Sequence, residues 1–228
     1  VKLADVVVRS VAVPDDNPEI LAARTFGIPV WTRTECLARL LAHHETVAVA
    51  GSFGKTTTAS LLADCMCQSA DPVVYVGARP AHDCLSVRWG RGRLAVVEAC
   101  EYRREFFHLA PAHLLLTNIA VNHEDEFGDG MSKVLRTFES FIRINERALH
   151  SVWVGLDDPG LRLLHKRGIL NARTYGTQNA DWDAVGGFDS THNRTEVRLL
   201  HRGKSAGTFW THWYGPHIVR NLVPGNIA

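Results

Sequence analysis

The sequence predicts an α/β fold, a mostly parallel sheet with helices on both faces, and three observations predict it. Short, continuously apolar, β-branched runs recur along the chain, as buried parallel strands require. Segments of helical periodicity separate them, which is the alternation of a sheet covered on both sides. Several runs pass straight into polar residues, and in open α/β sheets the carboxyl ends of strands line the ligand crevice.

Residues 5–10 (DVVVRS) read as the first strand. Asp15, Asp16 and Asn17 make a loop, Pro18 suits a first helical turn, and a helix over residues 19–26 stops at Gly27. Residues 28–30 predict a second short strand and residues 35–43 a second helix. The pattern then restarts more strongly. Residues 47–50 (VAVA) form a strand, a Gly-rich turn follows, and a helix over residues 55–67 places Ala59, Leu62, Ala63 and Met66 on one stripe. Residues 94–97 (LAVV) and 114–116 (LLL) are further strands; Glu98 follows the first, Thr117 and Asn118 the second. A long amphipathic helix is expected over residues 132–150 and a strand over 151–154 (SVWV), ended by Gly155, Leu156, Asp157 and Asp158. Beyond Arg173 the runs shorten and alternate, at residues 196–200 and 208–213 around Gly203 and Lys204, so an antiparallel edge is expected there.

Composition removes whole classes of function. With 228 residues, 46% hydrophobic and 21% charged, the chain can bury a core, so disorder, collagen and coiled coil are excluded. The 25 Lys and Arg nearly cancel the 24 Asp and Glu, and a net charge of +1 leaves no footprint of a nucleic-acid or membrane-surface binder. No apolar run reaches the roughly 18 residues of a spanning helix and no leader pattern opens the chain, so a cytoplasmic location is expected. Five cysteines without a CxxC pair fit reduced thiols. Twelve histidines show no HExxH-like spacing, and most read as surface or core residues. The chain opens on Val1 and stops at Ala228, where an apolar helix is starting, and is read as a piece of a longer protein.

The strongest chemical signal is Gly51-Ser52-Phe53-Gly54-Lys55-Thr56-Thr57-Thr58, set between a strand and a helix. Backbone N–H groups of such a turn converge on an anion, and the helix N-terminus adds partial positive charge. Lys55 would reach outer phosphates and Thr56 would ligate Mg²⁺. A strict Walker spacing needs Gly at position 49, where this chain has Val49. Metal ligands for a triphosphate are expected at neighbouring strand ends: Glu98 and Glu101 on one, and His123 with Glu124 and Asp125 on the next.

GSFGKTTT at residues 51–58, VVEACEY at 96–102, TNIAVNHED at 117–125 and GLDDP at 155–159, in that order, resemble the Mur ligase family. The resemblance implies an ATP-dependent ligase of peptidoglycan synthesis that forms an amide through an acyl phosphate. Residues 12–35 look most like members that add L-alanine to UDP-N-acetylmuramate; Glu101, Tyr102 and Phe127 also resemble the members that ligate recycled murein tripeptide. Carried over by position, Gly51, Ser52, Phe53, Gly54, Lys55, Thr56 and Thr57 would bind ATP, and Asn221 would contact adenine. Lys55, Glu98 and His123 would be catalytic, with Thr56 and Glu98 on one Mg²⁺ and His123 on a second. Glu101 would be an acidic neighbour.

The resemblance also implies a division of the chain. Residues 1–45 would end a Rossmann-like domain for the UDP-substrate, residues 46–228 would form the P-loop-like central ATP-binding domain, and a third, amino-acid-binding domain would lie outside this sequence. Such a piece is expected to bind nucleotide but not to ligate alone. Phe53, Asn122 and Ile218 depart from the family pattern, which keeps open a catalytically impaired, Mur-like nucleotide-binding protein; an NTPase or kinase of P-loop type acting on another substrate is the remaining alternative.

Overall fold

The computed structural model describes residues 1–77, 85–122, 130–168, 172–177 and 179–211. Its amino-terminal part is a small βαβα unit: β1 (Val7–Arg9), α1 (Pro18–Thr25), β2 (Val30–Thr32) and α2 (Arg33–Leu40). The strands β1 and β2 pair in parallel, with Val7 opposite Val30. Local chemistry sets the helix ends. Asn17 accepts from the Glu19 N–H at 2.9 Å to start α1, and Gly27 at φ +67° closes it. Thr32 and Glu35 form a reciprocal capping box that starts α2.

Ten further strands make one sheet: β3 (Glu45–Ala50), β4 (Val73–Tyr75), β5 (Val87–Arg88), β6 (Leu94–Ala99), β7 (His113–Leu116), β8 (Ser151–Gly155), β9 (Arg173–Tyr175), β10 (Trp182–Asp189), β11 (Arg194–His201) and β12 (Lys204–Thr211). Their spatial order is β12-β11-β10-β9-β8-β7-β3-β6-β4-β5. Pairing is parallel from β4 to β10, and antiparallel where β5, β11 and β12 close the two edges. Among the described residues the sheet is joined by helices α3 (Lys55–Cys67), α4 (Met131–Asn145) and α5 (Pro159–Lys166), with a 3-10 stretch over Tyr102–His108.

Side chains of a strand alternate between faces, so β3 serves two cores. Ala48 and Ala50 join Leu114, Leu116, Val152 and Val154 against Phe138, Phe141 and Ile142 of α4 and Leu161 and Leu164 of α5. Leu37 and Leu41, at the end of α2, pack into that same core. Val47 and Val49 join Val96, Leu115 and Trp153 against Ala59, Leu61, Leu62 and Ala63 of α3 on the opposite face. The sheet is thus covered on both sides, as the alternation implied. Among the described residues no helix is long and apolar enough to cross a membrane.

Several boundaries differ from expectation. The second strand begins at Val30, because Pro29 has no N–H and contributes only its carbonyl, which accepts from Val7 N at 2.9 Å. Helix α4 stops at Asn145 rather than at His150, whose N–H donates to Ala112 O at 2.7 Å as the chain enters β8. Glu98 lies inside β6, opposite Val49, rather than after it. Four strands, β4, β5, β9 and β10, were not expected. Cys36, Cys65 and Cys100 are free thiols, whereas Cys67 is disulfide-bonded, against the expectation of reduced cysteines; spacing carries no signal for such a pairing.

Candidate functional site

The carboxyl edge of β3 and the start of α3 build the site. Gly51 has φ +145°, and a Cβ there would fall 2.1 Å from Thr117 Oγ1, so only glycine lets the turn pass this close to the end of β7. Gly54, at φ +77°, then enters α3 as a left-handed N-cap without a side-chain cap. Helices α1, α2 and α5 are each capped by an Asn, Thr or Asp side chain. The first turn of α3 carries no acidic residue either. Its leading N–H groups, on Lys55, Thr56 and Thr57, have no intrahelical partners, and that end of the helix bears partial positive charge, as an anion site requires.

The loop before this end is held by the segment that follows β7. Asn118 grips Phe53 at two points: Oδ1 accepts from Phe53 N at 2.8 Å and Nδ2 donates to Phe53 O at 2.6 Å. Ser52 N donates to Asn118 O at 3.0 Å, and its hydroxyl exchanges hydrogen bonds with the Ala120 backbone at 2.8 and 2.9 Å. The N–H groups of Ser52 and Phe53, both expected to face phosphate, therefore bond within the protein. The Phe53 side chain itself is exposed. In this geometry the leading N–H groups of α3 remain available for an anion.

Around that turn stand a lysine, a hydroxyl and two carboxylates. Lys55 Nζ donates to Gly51 O at 2.6 Å, Ser52 O at 3.2 Å and Glu101 Oε2 at 2.9 Å. Thr56 Oγ1 lies 2.9 Å from both oxygens of Glu98, and Gly77 N donates to Glu98 Oε2 at 2.8 Å. A hydroxyl beside a carboxylate is an all-oxygen donor set, suited to a hard cation such as Mg²⁺. Glu101 is buried, and its Oε1 has no hydrogen-bond partner among the described residues. Burial, aided by the neighbouring Glu101 and Glu98 charges, pushes the Cys100 thiol above its ordinary value, although a Tyr102 backbone bond and Lys55 oppose it. A thiol held protonated is a poor nucleophile.

The structure thus brings Lys55, Thr56, Glu98 and Glu101 together at one end of β3 and β6. His123 and Asn221 lie outside the described residues, as do Glu124, Asp125 and Phe127. Sequence reasoning gave no role to Gly77, or to Asn118 as a clamp. The signal for Gly77 was there: Pro72, Val73, Val74, Tyr75, Val76 and Gly77 form a short β-branched run ended by a glycine.

A profile of the Mur ligase middle domain matches residues 49–226. The UDP-N-acetylmuramate--L-alanine ligase of Halorhodospira halophila is 38% identical over 226 residues, which covers 96% of this chain and 45% of that protein. The solved UDP-N-acetylmuramate-alanine ligase of Thermotoga maritima matches with a TM-score of 0.80 at 23% identity, over 97% of this chain and 50% of the other. The UDP-N-acetylmuramate:L-alanyl-gamma-D-glutamyl-meso-diaminopimelate ligase of Neisseria meningitides also gives 0.80, at 26% identity, over 97% of this chain and 72% of the other. This chain spans about half the length of the curated relatives it matches. An uncapped helix behind GSFGKTTT, a lysine and two glutamates around it, and a matching profile over most of the sequence lead to one conclusion: the chain belongs to the Mur ligase family.

Proposed function

We propose that this chain is the nucleotide-binding part of an ATP-dependent ligase that joins L-alanine to UDP-N-acetylmuramate in making peptidoglycan precursors. The observation that carries the reading is the uncapped start of α3 with Lys55, Thr56 and Glu98 gathered beside it. Relatives that bear this activity as their name share 35% to 38% of residues, over 96% of this chain. Two solved neighbours of equal TM-score, 0.80, carry different names, one for alanine and one for a peptide, so fold alone does not choose between them. Sequence identity favours alanine.

The residues fit a magnesium nucleotide. Glycine at positions 51 and 54 gives the turn its close approach, the first turn of α3 offers N–H donors, and Thr56 with Glu98 offers oxygens. Bound Mg²⁺-ATP would supply activation of a substrate carboxylate by phosphoryl transfer. Thr56 and Glu98 would hold the cation, and Lys55 would neutralise charge on the outer phosphates. Such chemistry rests on positioning and charge, which a lysine and helix-terminal N–H groups provide without a covalent nucleophile. By the family resemblance, His123 would serve a second Mg²⁺ and Asn221 the adenine.

Titration calorimetry with ATP and Mg²⁺ tests this reading. The comparison is wild type against the paired variant Lys55→Met with Glu101→Leu, which removes both charges of a buried pair and so preserves folding. Weaker binding by the variant is expected; equal binding would overturn the reading. The full-length protein, offered UDP-N-acetylmuramate with L-alanine or with tripeptide, reports the substrate.

A further inference from the structure

We propose that Glu45, His113 and His150 form a binding site for a transition-metal dication of the zinc class, at the end of the sheet opposite the nucleotide site. Glu45 opens β3, His113 opens β7, and His150 immediately precedes β8. These strands are neighbours, in the order β8-β7-β3, so three residues far apart in sequence meet along one edge. Glu45 begins the six-residue strand that ends at Ala50, just before the Gly-rich turn, which puts the two sites about 16 Å apart along the sheet.

One ligand atom from each of the three residues lies within 4.8 Å of the others. His113 Nε2 is 2.9 Å from Glu45 Oε1, and His150 Nδ1 is 3.4 Å from the same oxygen. Around a tetrahedral zinc with bonds of about 2.0–2.1 Å, donor atoms sit roughly 3.3–3.4 Å apart, so only small side-chain shifts are needed. His113 also has the outer partner that a metal-bound imidazole needs: Ser151 Oγ lies 2.8 Å from Nδ1, fixing the ring and leaving Nε2 to point at Glu45.

Backbone hydrogen bonds tie the chain into the sheet at or beside all three positions. Glu45 N donates to Arg93 O at 2.8 Å, Ala112 N to Thr46 O at 2.9 Å, and His150 N to Ala112 O at 2.7 Å. Two imidazoles and one carboxylate select zinc-like ions over Mg²⁺, which prefers the all-oxygen set at Thr56 and Glu98. The His150 side chain is 67% exposed, so the ion is reached from solvent and keeps a fourth position for water. A bound ion would tie the leading ends of three central strands together.

Equilibrium dialysis of the whole chain against Zn²⁺, in excess Mg²⁺, tests the proposal, with Co²⁺ as a spectroscopic substitute. The expected result is one zinc per chain, lowered at least about tenfold in affinity by His113→Gln, His150→Gln or Glu45→Gln, and about 10- to 100-fold by Ser151→Ala. His150 is on the surface, so His150→Gln leaves the fold intact, which far-ultraviolet circular dichroism checks. Zinc uptake that is unchanged in the histidine variants, or no uptake at all, would overturn the proposal. A thiolate-to-cobalt charge-transfer band in the wild type would assign the metal to cysteine and overturn it too.

Discussion

Lys55 Nζ and Glu101 Oε2 lie 2.9 Å apart with both side chains shut away from solvent, Glu101 at 1% exposure. The ammonium has three donors, and Gly51, Ser52 and Glu101 occupy all of them. A phosphate that recruits Lys55 must therefore replace one of these partners, and the other anion among them is Glu101. Breaking a buried pair by removing one charge costs about 3–5 kcal/mol, because the remaining charge is left uncompensated. Glu101→Gln is accordingly expected to lower the melting temperature without nucleotide. Saturating Mg²⁺-ATP should raise the variant's melting temperature by more than the wild type's, since the triphosphate supplies the missing counter-charge. Equal increments in the two proteins would mean that Lys55 never leaves its internal partners for the nucleotide.

Gly77 holds Glu98 from the far side. A Cβ at this position would lie 2.7 Å from Glu98 Oε2 and 3.3 Å from Thr56 Oγ1, and no backbone atom is among its closest contacts. Gly77→Ala should displace the carboxylate from Thr56 while leaving the sheet in place. Hydrogen bonds to charged groups contribute about 1.5–3 kcal/mol, so Mg²⁺-dependent ATP affinity is expected to fall roughly 10- to 150-fold with little change in melting temperature. Thr56→Val, which deletes the hydroxyl, should give a similar loss. Calorimetry at fixed Mg²⁺ measures both.

Phe106 anchors the segment that presents Glu101. Its ring is fully buried, stacked on Phe141 at 4.3 Å and edge-on to Phe138 at 5.4 Å. Its N–H donates to Cys100 O at 2.9 Å, which ties the turn after β6 to the aromatic core. Phe106→Ala should cost about 3–5 kcal/mol of stability. The denaturant midpoint should fall with an unchanged slope, which equilibrium unfolding in urea measures.

Much of this was legible in the sequence where the signal is local. VAVA, LAVV, LLL and SVWV announced four central strands, and the bounds of α3 followed from its Gly-rich start and apolar stripe. Where tertiary pairing decides, the sequence was silent. Arg173–Tyr175 has three residues, too few to show alternation, and its pairing with β8 comes from Trp153, Val154 and Gly155 opposite it. Trp182–Asp189 contains Gly186 and Gly187, which weaken a strand on propensity, yet it pairs along its whole length with β11. The candidate site divides in the same way. Lys55, Thr56 and Glu98 stand in motifs, whereas the Asn118 clamp on Phe53 and the Gly77 contact with Glu98 join residues 65 and 21 positions apart, a distance no local pattern spans. The Glu45, His113 and His150 cluster was hidden for the same reason.

The antiparallel edge supplies a test of acid stability. Asp181 Oδ2 accepts from Thr174 Oγ1 at 3.0 Å, and Asp181 Oδ1 accepts from Arg202 Nε and Nη2 at 3.2 Å each, so one carboxylate fastens β9 to the turn between β11 and β12. Partial burial pushes the Asp181 carboxyl upward, but the hydrogen bonds from Thr174 and Arg202 outweigh it and hold the group below the ordinary aspartate value. The folded state then binds fewer protons than the unfolded one near that value, so stability rises with pH there. The contribution is fully present above the unfolded value of about 3.9 and is lost as the pH falls below it. Asp181→Asn should melt below the wild type at pH 6, with the gap closing steadily as the pH is lowered from about 4 toward 2. Melting curves across that range measure the effect; a gap that stays constant with pH would show that the ionised carboxylate contributes nothing at this edge.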